Sequence, residues 1–288
     1  MKRPTELTRE IREVVAAALE EDVGGGDITS EALVPANVRG RASIVQKAPG
    51  VVFGLEIARE ALMESGAEGF DGLVVEGRWR DELPATVARA AGPGRALLAG
   101  ERVALNLLGR LSGVATLTAR YVRAVEGTGA RILDTRKTTP GLRGLEKAAV
   151  VAGGGHNHRF GLYDAILIKE NHIALAGGVG EAIARARREQ PGMEVEIECG
   201  TLDEVREAVA AEAETLLLDN MAPPELAEAV TAARELAGPR RRVRLEASGG
   251  VSLENAAEVA ATGVDEISVG ALTHSAPALD VSMEIELA

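Results

Sequence analysis

Residues 195–220 read VEIECGTLDEVREAVAAEAETLLLDN. Residues 195–199 and 215–218 are short apolar runs of strand length, and the apolar positions of 202–211 between them recur at helical spacing. A buried strand, a covering helix and a second buried strand make one parallel βαβ unit. The same alternation runs through the rest of this half of the chain. Strands are expected near 132–135, 165–169, 243–247 and 266–269, and helices near 180–189, 224–236 and 253–262. So many units predict a closed or nearly closed barrel, with a doubly wound open sheet as the competitor. No G-x-G-x-x-G follows the first strand, which lowers the dinucleotide-binding form of that competitor.

Upstream the pattern changes. Ile11, Val14, Val15, Ala18 and Leu19 mark an amphipathic helix that stops at Gly24-Gly25-Gly26. Strands are expected over 41–47, 51–53, 73–75 and 85–90, with a helix over 55–64, the mixture of a small α+β domain. Residues 94–127 read as helical with an interruption at Ser112-Gly113. The expected division is an α+β domain with linking helices over 1–112 and a barrel over 113–275. For 276–288, a return to the first domain is an open option.

Composition narrows the function. A net charge of −12 argues against a general nucleic-acid or anionic-membrane surface, which would need broad basic patches. No apolar run approaches the roughly 20 residues of a membrane helix. The charged, helical start, MKRPTELTREIREVV, does not resemble a secretory signal, so a cytoplasmic protein is expected. The one cysteine, Cys199, excludes an internal disulfide or a cysteine-based zinc cluster and reads as a small core residue.

Ligands of parallel α/β folds bind at the carboxyl ends of the strands. Those ends read Asp134-Thr135-Arg136-Lys137, Lys169-Glu170-Asn171-His172, Glu198, Asp219-Asn220, Ser248-Gly249-Gly250 and Gly270. Each is polar or glycine, and the register makes one binding face. Arg136 beside Lys137 places a carboxylate-binding fork next to a compact charge suited to phosphate. The glycine-rich run 153–159, GGGHNHR, brings His156, His158 and Arg159; with no cysteine nearby, anion binding by His158 and Arg159 is favoured over metal. Glu198 and Asp219 fit a cationic centre, a sugar hydroxyl or Mg²⁺, and Ser248-Gly249-Gly250 with Gly270 fits a phosphate taken by backbone N–H groups. The sum is an activated sugar phosphate.

The ordered set DTRKTTPG (134–141), GGGHNHR (153–159), IKENH (168–172), Glu196 to Glu198, Leu218 to Asn220, EASGG (246–250) and Ser268 to Gly270 closely resembles the quinolinate phosphoribosyltransferase family. Glu21-Asp22, Gly26 to Thr29, Glu101-Arg102, Leu105-Asn106 and Ser112-Gly113 extend the resemblance over nearly the whole chain. It implies an N-terminal α+β sandwich followed by an incomplete α/β barrel, the type II phosphoribosyltransferase fold. It also implies transfer from 5-phosphoribosyl 1-pyrophosphate to quinolinate with decarboxylation, in a Mg²⁺-dependent homodimer or larger assembly whose active sites are shared.

By that resemblance Arg136, His158, Arg159 and Lys169 hold the quinolinate carboxylates, with Arg102 arriving from a neighbouring subunit. Thr135 joins the binding set, and Lys137 serves the pyrophosphate. Glu198 and Asp219 serve the ribose hydroxyls and the metal, and Ser248, Gly249, Gly250 and Gly270 take the 5′-phosphate. Lys137, Glu198 and Asp219 are the expected catalytic groups, and Lys147, on the following helix, is taken as a lysine outside the site. The alternatives are a related pyrophosphorylase-like transferase of another substrate, a Schiff-base barrel aldolase using Lys137 or Lys169, and a non-catalytic phosphate-binding module.

Overall fold

In the computed structural model, residues 4–288 are described, with side chains from residue 9 onward. The chain forms two compact units. The first takes the residues up to Ala119 together with Thr138–Gly154 and Leu272–Ala288; the second takes Arg120–Lys137 and Gly155–Ala271.

The first unit begins with helices α1 (Pro4–Val23) and α2 (Ile28–Leu33), then strands β1 (Arg39–Gln46) and β2 (Gly50–Val51). Helix α3 (Leu55–Glu64) leads to β3 (Gly69–Gly72), β4 (Trp79–Arg80), β5 (Ala85–Pro93) and the long helix α4 (Gly94–Ala124). A four-stranded sheet has the order β12-β1-β5-β3, β12 being Val281–Leu287, and β2 pairs with β4. Strand β12 runs antiparallel to β1 from Gly40↔Leu287 to Gln46↔Val281, so the N-terminal sheet is completed by residues from the other end of the chain. Ile44, Ile57, Leu62, Leu97, Leu108 and Leu111 are fully buried in this unit.

Two sequence expectations fail here. The third strand is Gly69–Gly72, paired to β5, and not 73–75; Leu73 and Val75 are exposed. Cross-strand pairing with β5 selects GFDG over the more apolar run beside it. The break expected at Ser112-Gly113 is also absent, since α4 runs through it for 31 residues. These two small residues are there for packing. Ser112 Oγ accepts from Phe53 N–H and donates to Phe53 O, while a Cβ on Gly113 would lie 2.0 Å from Pro277 O.

Helix α5 (Arg143–Ala152) and the short α11 (Ala271–His274) join this unit through Arg110. Its guanidinium donates to Glu146 Oε1 (2.7 Å), Ala276 O (3.0 Å) and Thr273 O, while Glu146 Oε2 accepts Thr139 N–H (3.0 Å). Glu146 is wholly buried, so these bonds replace the water it has lost. Lys147, taken as a lysine outside the site, is 1% exposed and is therefore no neutral contrast for other lysines. Helix α5 is buried nearly all round between Gly144 and Val150, so Lys147 has no solvent-facing side to point to.

The second unit holds β6 (Arg131–Leu133), β7 (Ile166–Ile168), α6 (Glu170–Ala176), α7 (Val179–Glu189), β8 (Val195–Cys199) and α8 (Leu202–Ala210). It continues with β9 (Thr215–Asp219), α9 (Pro223–Ala237), β10 (Arg244–Ser248), α10 (Ala256–Ala261) and β11 (Glu266–Ser268). All six expected strands form one parallel sheet in the order β6-β11-β10-β9-β8-β7. Among the described residues β6 and β7 do not pair, and the edge of β6 away from β11 carries a single parallel bridge, Leu133↔His156, which leaves the barrel incomplete. Helix starts follow local chemistry: Thr201 and Glu204 form a reciprocal capping box on α8, and Pro223 opens α9. Thr215 to Leu218 are all buried, as expected of a strand covered on both faces.

Candidate active site

Side chains two apart on a strand share a face, so each barrel strand points a row of residues inward. β8 aims Glu196 and Glu198, β9 aims Leu217 and Asp219, β10 aims Glu246 and Ser248, and the upper members open into a cavity of about 350 Å³. Its wall gathers Thr135, Arg136, Lys137, His158, Arg159, Lys169, Glu198, Asp219 and Ser248. Those nine come from five strand ends and one loop, as the register of strand ends anticipated. Gly249, Gly250 and Gly270 follow β10 and β11 at the same end without lining the cavity wall. Arg102 lies exposed on α4, in the first unit.

The electrostatics divide the cavity. At one side stand Arg136 and Arg159. Burial pushes the Arg159 guanidinium below its usual range, and repulsion from Arg136 pushes it further, while Glu196 and Asp164 pull it back. Two adjacent cations that disfavour each other fit an anion. At the other side are Glu198 and Asp219. Burial raises Asp219 above the usual carboxylate range and Glu198 adds to it, against a hydrogen bond from Asn220 and the charges of Lys169 and Lys137. Lys169 Nζ is 2.9 Å from Glu198 Oε2. A carboxylate pair under mutual repulsion fits a cation or sugar hydroxyls.

Beneath this cavity a second one, of about 280 Å³, continues down the barrel interior and shares His158, Arg159 and Glu246 with it. Here sequence reasoning fell short. Glu246 and Glu196 were part of the motifs but received no role, although alternation from Glu198 and Ser248 would have aimed them inward. His158 Nδ1 accepts the Arg159 N–H at 2.6 Å, which leaves the ring proton on Nε2, 3.0 Å from Glu196 Oε2 and 3.5 Å from Glu246 Oε2. His158 N–H also donates to Asp134 Oδ1 at 2.9 Å, and Asp134 is fully buried.

Burial, with Glu196 next, pushes Glu246 up to about 8. One nitrogen of His158 and an oxygen from each glutamate lie within 4.8 Å of one another, the spacing of a metal site. The lining decides against that reading. Four glutamates (Glu194, Glu196, Glu246, Glu266) face three arginines (Arg131, Arg159, Arg244), and burial favours the neutral form of Glu246, so these charges offset one another without an ion. Cys199, fully buried with its thiol pushed up to about 12 by burial, is the inert core residue expected.

An α/β-barrel enzyme whose strand-end cavity is walled by cations on one side and paired carboxylates on the other is what this fold and this cavity define. Two family models match, the quinolinate phosphoribosyl transferase N-terminal domain over residues 27–112 and its C-terminal domain over 114–284. The chain belongs to the quinolinate phosphoribosyl transferase family. It is 44% identical to a nicotinate-nucleotide pyrophosphorylase [carboxylating] of Mycobacterium leprae over 95% of this chain and 96% of that one. A probable enzyme of the same name from Bacillus subtilis is 43% identical, over 93% and 90%. Among solved structures, NadC from Streptococcus pyogenes superposes with a TM-score of 0.90 at 38% identity, covering 100% of this chain and 99% of that one. The nicotinate-nucleotide pyrophosphorylase of Francisella tularensis gives 0.91 at 35%, covering 99% and 98%.

Proposed function

We propose that the upper cavity joins quinolinate to 5-phosphoribosyl 1-pyrophosphate, releasing pyrophosphate and carbon dioxide and leaving nicotinate mononucleotide. The observation that carries this reading is the Arg136–Arg159 pair, forced together in a half-buried wall facing the Glu198–Asp219 pair. Arg136, Arg159 and Lys169 hold the two ring carboxylates. His158, whose ring nitrogens face Arg159 N–H and Glu196, sets the floor and the placement of Arg159.

As the ring nitrogen bonds to C1′, the C1′–oxygen bond breaks and its electron pair leaves with pyrophosphate. Glu198 and Asp219 stabilise the positive charge that grows on the ribose, and Lys137 neutralises the leaving group. The carboxylate next to the ribosylated nitrogen then departs as carbon dioxide; its bonding electrons stay on the ring carbon, stabilised by the adjacent cationic nitrogen, and solvent supplies the proton. Glu198 and Asp219 would hold Mg²⁺, which when bound neutralises pyrophosphate oxygens. Thr135 and the turn Ser248-Gly249-Gly250 with Gly270 bind the phosphoribosyl end, and Arg102 of a second copy completes the quinolinate end in a homodimer or larger assembly. Against a Schiff-base aldolase, Lys169 is exposed and ion-paired with Glu198, unlike the desolvated amine such chemistry needs.

The test is conversion of quinolinate and 5-phosphoribosyl 1-pyrophosphate, with Mg²⁺, to nicotinate mononucleotide and one equivalent of carbon dioxide. Nicotinate, lacking the second carboxylate, should be turned over at least about 100-fold less efficiently, the loss of one charge-assisted contact pair. Equal use of both acids would refute the assignment of the cationic wall.

A further inference from the structure

Asn220, the first residue beyond β9, has φ of +55°, and among the described residues only Glu212 shares a positive φ outside glycine. Asn220 is exposed, so no core packing forces it into the left-handed region. Three contacts account for it. Its backbone N–H donates to Ser248 O at 2.9 Å, its side-chain Nδ2 donates to Asp219 Oδ2 at 2.6 Å, and its Oδ1 stands over Gly249. A Cβ on Gly249 would meet that oxygen at 2.2 Å, and Gly249 itself has φ of +89°. One side chain thus touches both the carboxylate at the end of β9 and the glycine turn at the end of β10, strands paired through Asp219↔Ser248. An unusual backbone conformation kept at an exposed position beside a ligand cavity points to function.

We propose that Asn220 is a positioning residue, fixing the Asp219 carboxylate and the Ser248-Gly249 turn at the separation that a single phosphorylated ribose requires. The inference rests on the function proposed above, with Asp219 at the ribose and the glycine turn at its 5′-phosphate. Asparagine suits the place: it tolerates the left-handed region, and its amide presents a donor to the carboxylate while turning its oxygen to the glycine. Aspartate would tolerate the same backbone but set an acceptor against an acceptor.

Asn220→Gly keeps the left-handed backbone and deletes the amide, whereas Asn220→Asp keeps the size and removes the donor. Both are compared with the wild-type enzyme by steady-state kinetics in each substrate, by calorimetric titration with ribose 5-phosphate, and by thermal melting. For Asn220→Gly, KM for 5-phosphoribosyl 1-pyrophosphate and Kd for ribose 5-phosphate should each rise about tenfold, the scale of one hydrogen bond to a charged group. KM for quinolinate and the melting midpoint should stay at wild-type values. Asn220→Asp should lose more on the same two readouts. Ribose 5-phosphate affinity within about twofold of wild type in Asn220→Gly would overturn the proposal, as would a fall in both substrates' affinities together with the midpoint. A wild-type enzyme that binds ribose 5-phosphate but does not turn over quinolinate defeats the proposed reaction alone, and the titration still decides the role of Asn220. If the wild type fails to bind ribose 5-phosphate, both fall.

Discussion

Replacing Glu246 by glutamine removes a titratable group from the barrel interior while nearly preserving its shape. In the folded protein the Glu246 carboxyl is 1% exposed and is raised from an ordinary 4.5 to about 8, by burial first and by Glu196 next, with His158 opposing. The groups facing it are Glu196 on β8, Glu266 and Ser268 on β11, and His158 from the loop before β7. A carboxyl with a raised folded value binds more protons folded than unfolded, so its contribution is fully present below about pH 4.5. That contribution is lost as pH rises towards 8. At ~1.36 kcal/mol for each pH unit of separation, the loss across this window is about 5 kcal/mol. Glutamine carries no such slope. Denaturant midpoints of wild type and Glu246→Gln at pH 5, 6.5 and 8 should therefore diverge, the variant gaining on the wild type as pH rises. Parallel pH profiles, or a variant that loses ground steadily above pH 6, would refute a neutral Glu246 and place an ionised carboxylate against His158 instead.

Lys137→Ala should lower kcat/KM by at least about 100-fold through loss of leaving-group stabilisation, whereas Lys47→Ala, at an exposed lysine just beyond β1, should leave it unchanged. Equal effects on steady-state rates would contradict the placement of Lys137. Arg110→Ala should cost about 3 kcal/mol by stranding the buried Glu146, read as a melting midpoint lowered by several degrees; an unchanged midpoint would mean that Thr139 alone satisfies the carboxylate. Arg102→Ala and Lys137→Ala proteins, each inactive, should recover about a quarter of wild-type activity when unfolded together and reassembled as dimers, because half the dimers are mixed and each mixed dimer has one whole site of two. No recovery, with mixed dimers verified by mass, would exclude a shared site.

The barrel was legible because its strands are apolar runs that end in polar or glycine residues, and Asp134, Lys169, Glu198, Asp219 and Ser248 all occupy the places that reading gave them. What lay below the strand ends was harder to see. Glu196, Glu246 and Glu266 are charged residues inside strands that otherwise look uniformly buried, and only when the six strands curve together do Arg131, Arg159 and Arg244 come round to balance them. Nothing local marks Arg110 as the partner of Glu146, 36 residues away. Lys147 shows the same limit, since a charged residue on an amphipathic helix gives no sign of being fully enclosed. At Ser112-Gly113 two small residues suggested a helix break when they serve close approach, a distinction that depends on Pro277, far along the chain.

The pairing of β12 with β1 bears on how this protein emerges from the ribosome. Gly40 and Ile44 leave early, but their partners Leu287 and Met283 leave after every strand of the parallel sheet has been synthesised. Until then one edge of the N-terminal sheet is an open template for strand addition, with Ala42 and Ile44 among its residues. The nascent chain must therefore carry an unfinished sheet until β12 emerges, while the parallel sheet can form ahead of it. In such a chain the interval of greatest risk for misassociation precedes release, and a holdase that shields Arg39–Gln46 should raise the yield of native protein more than one acting on the finished chain.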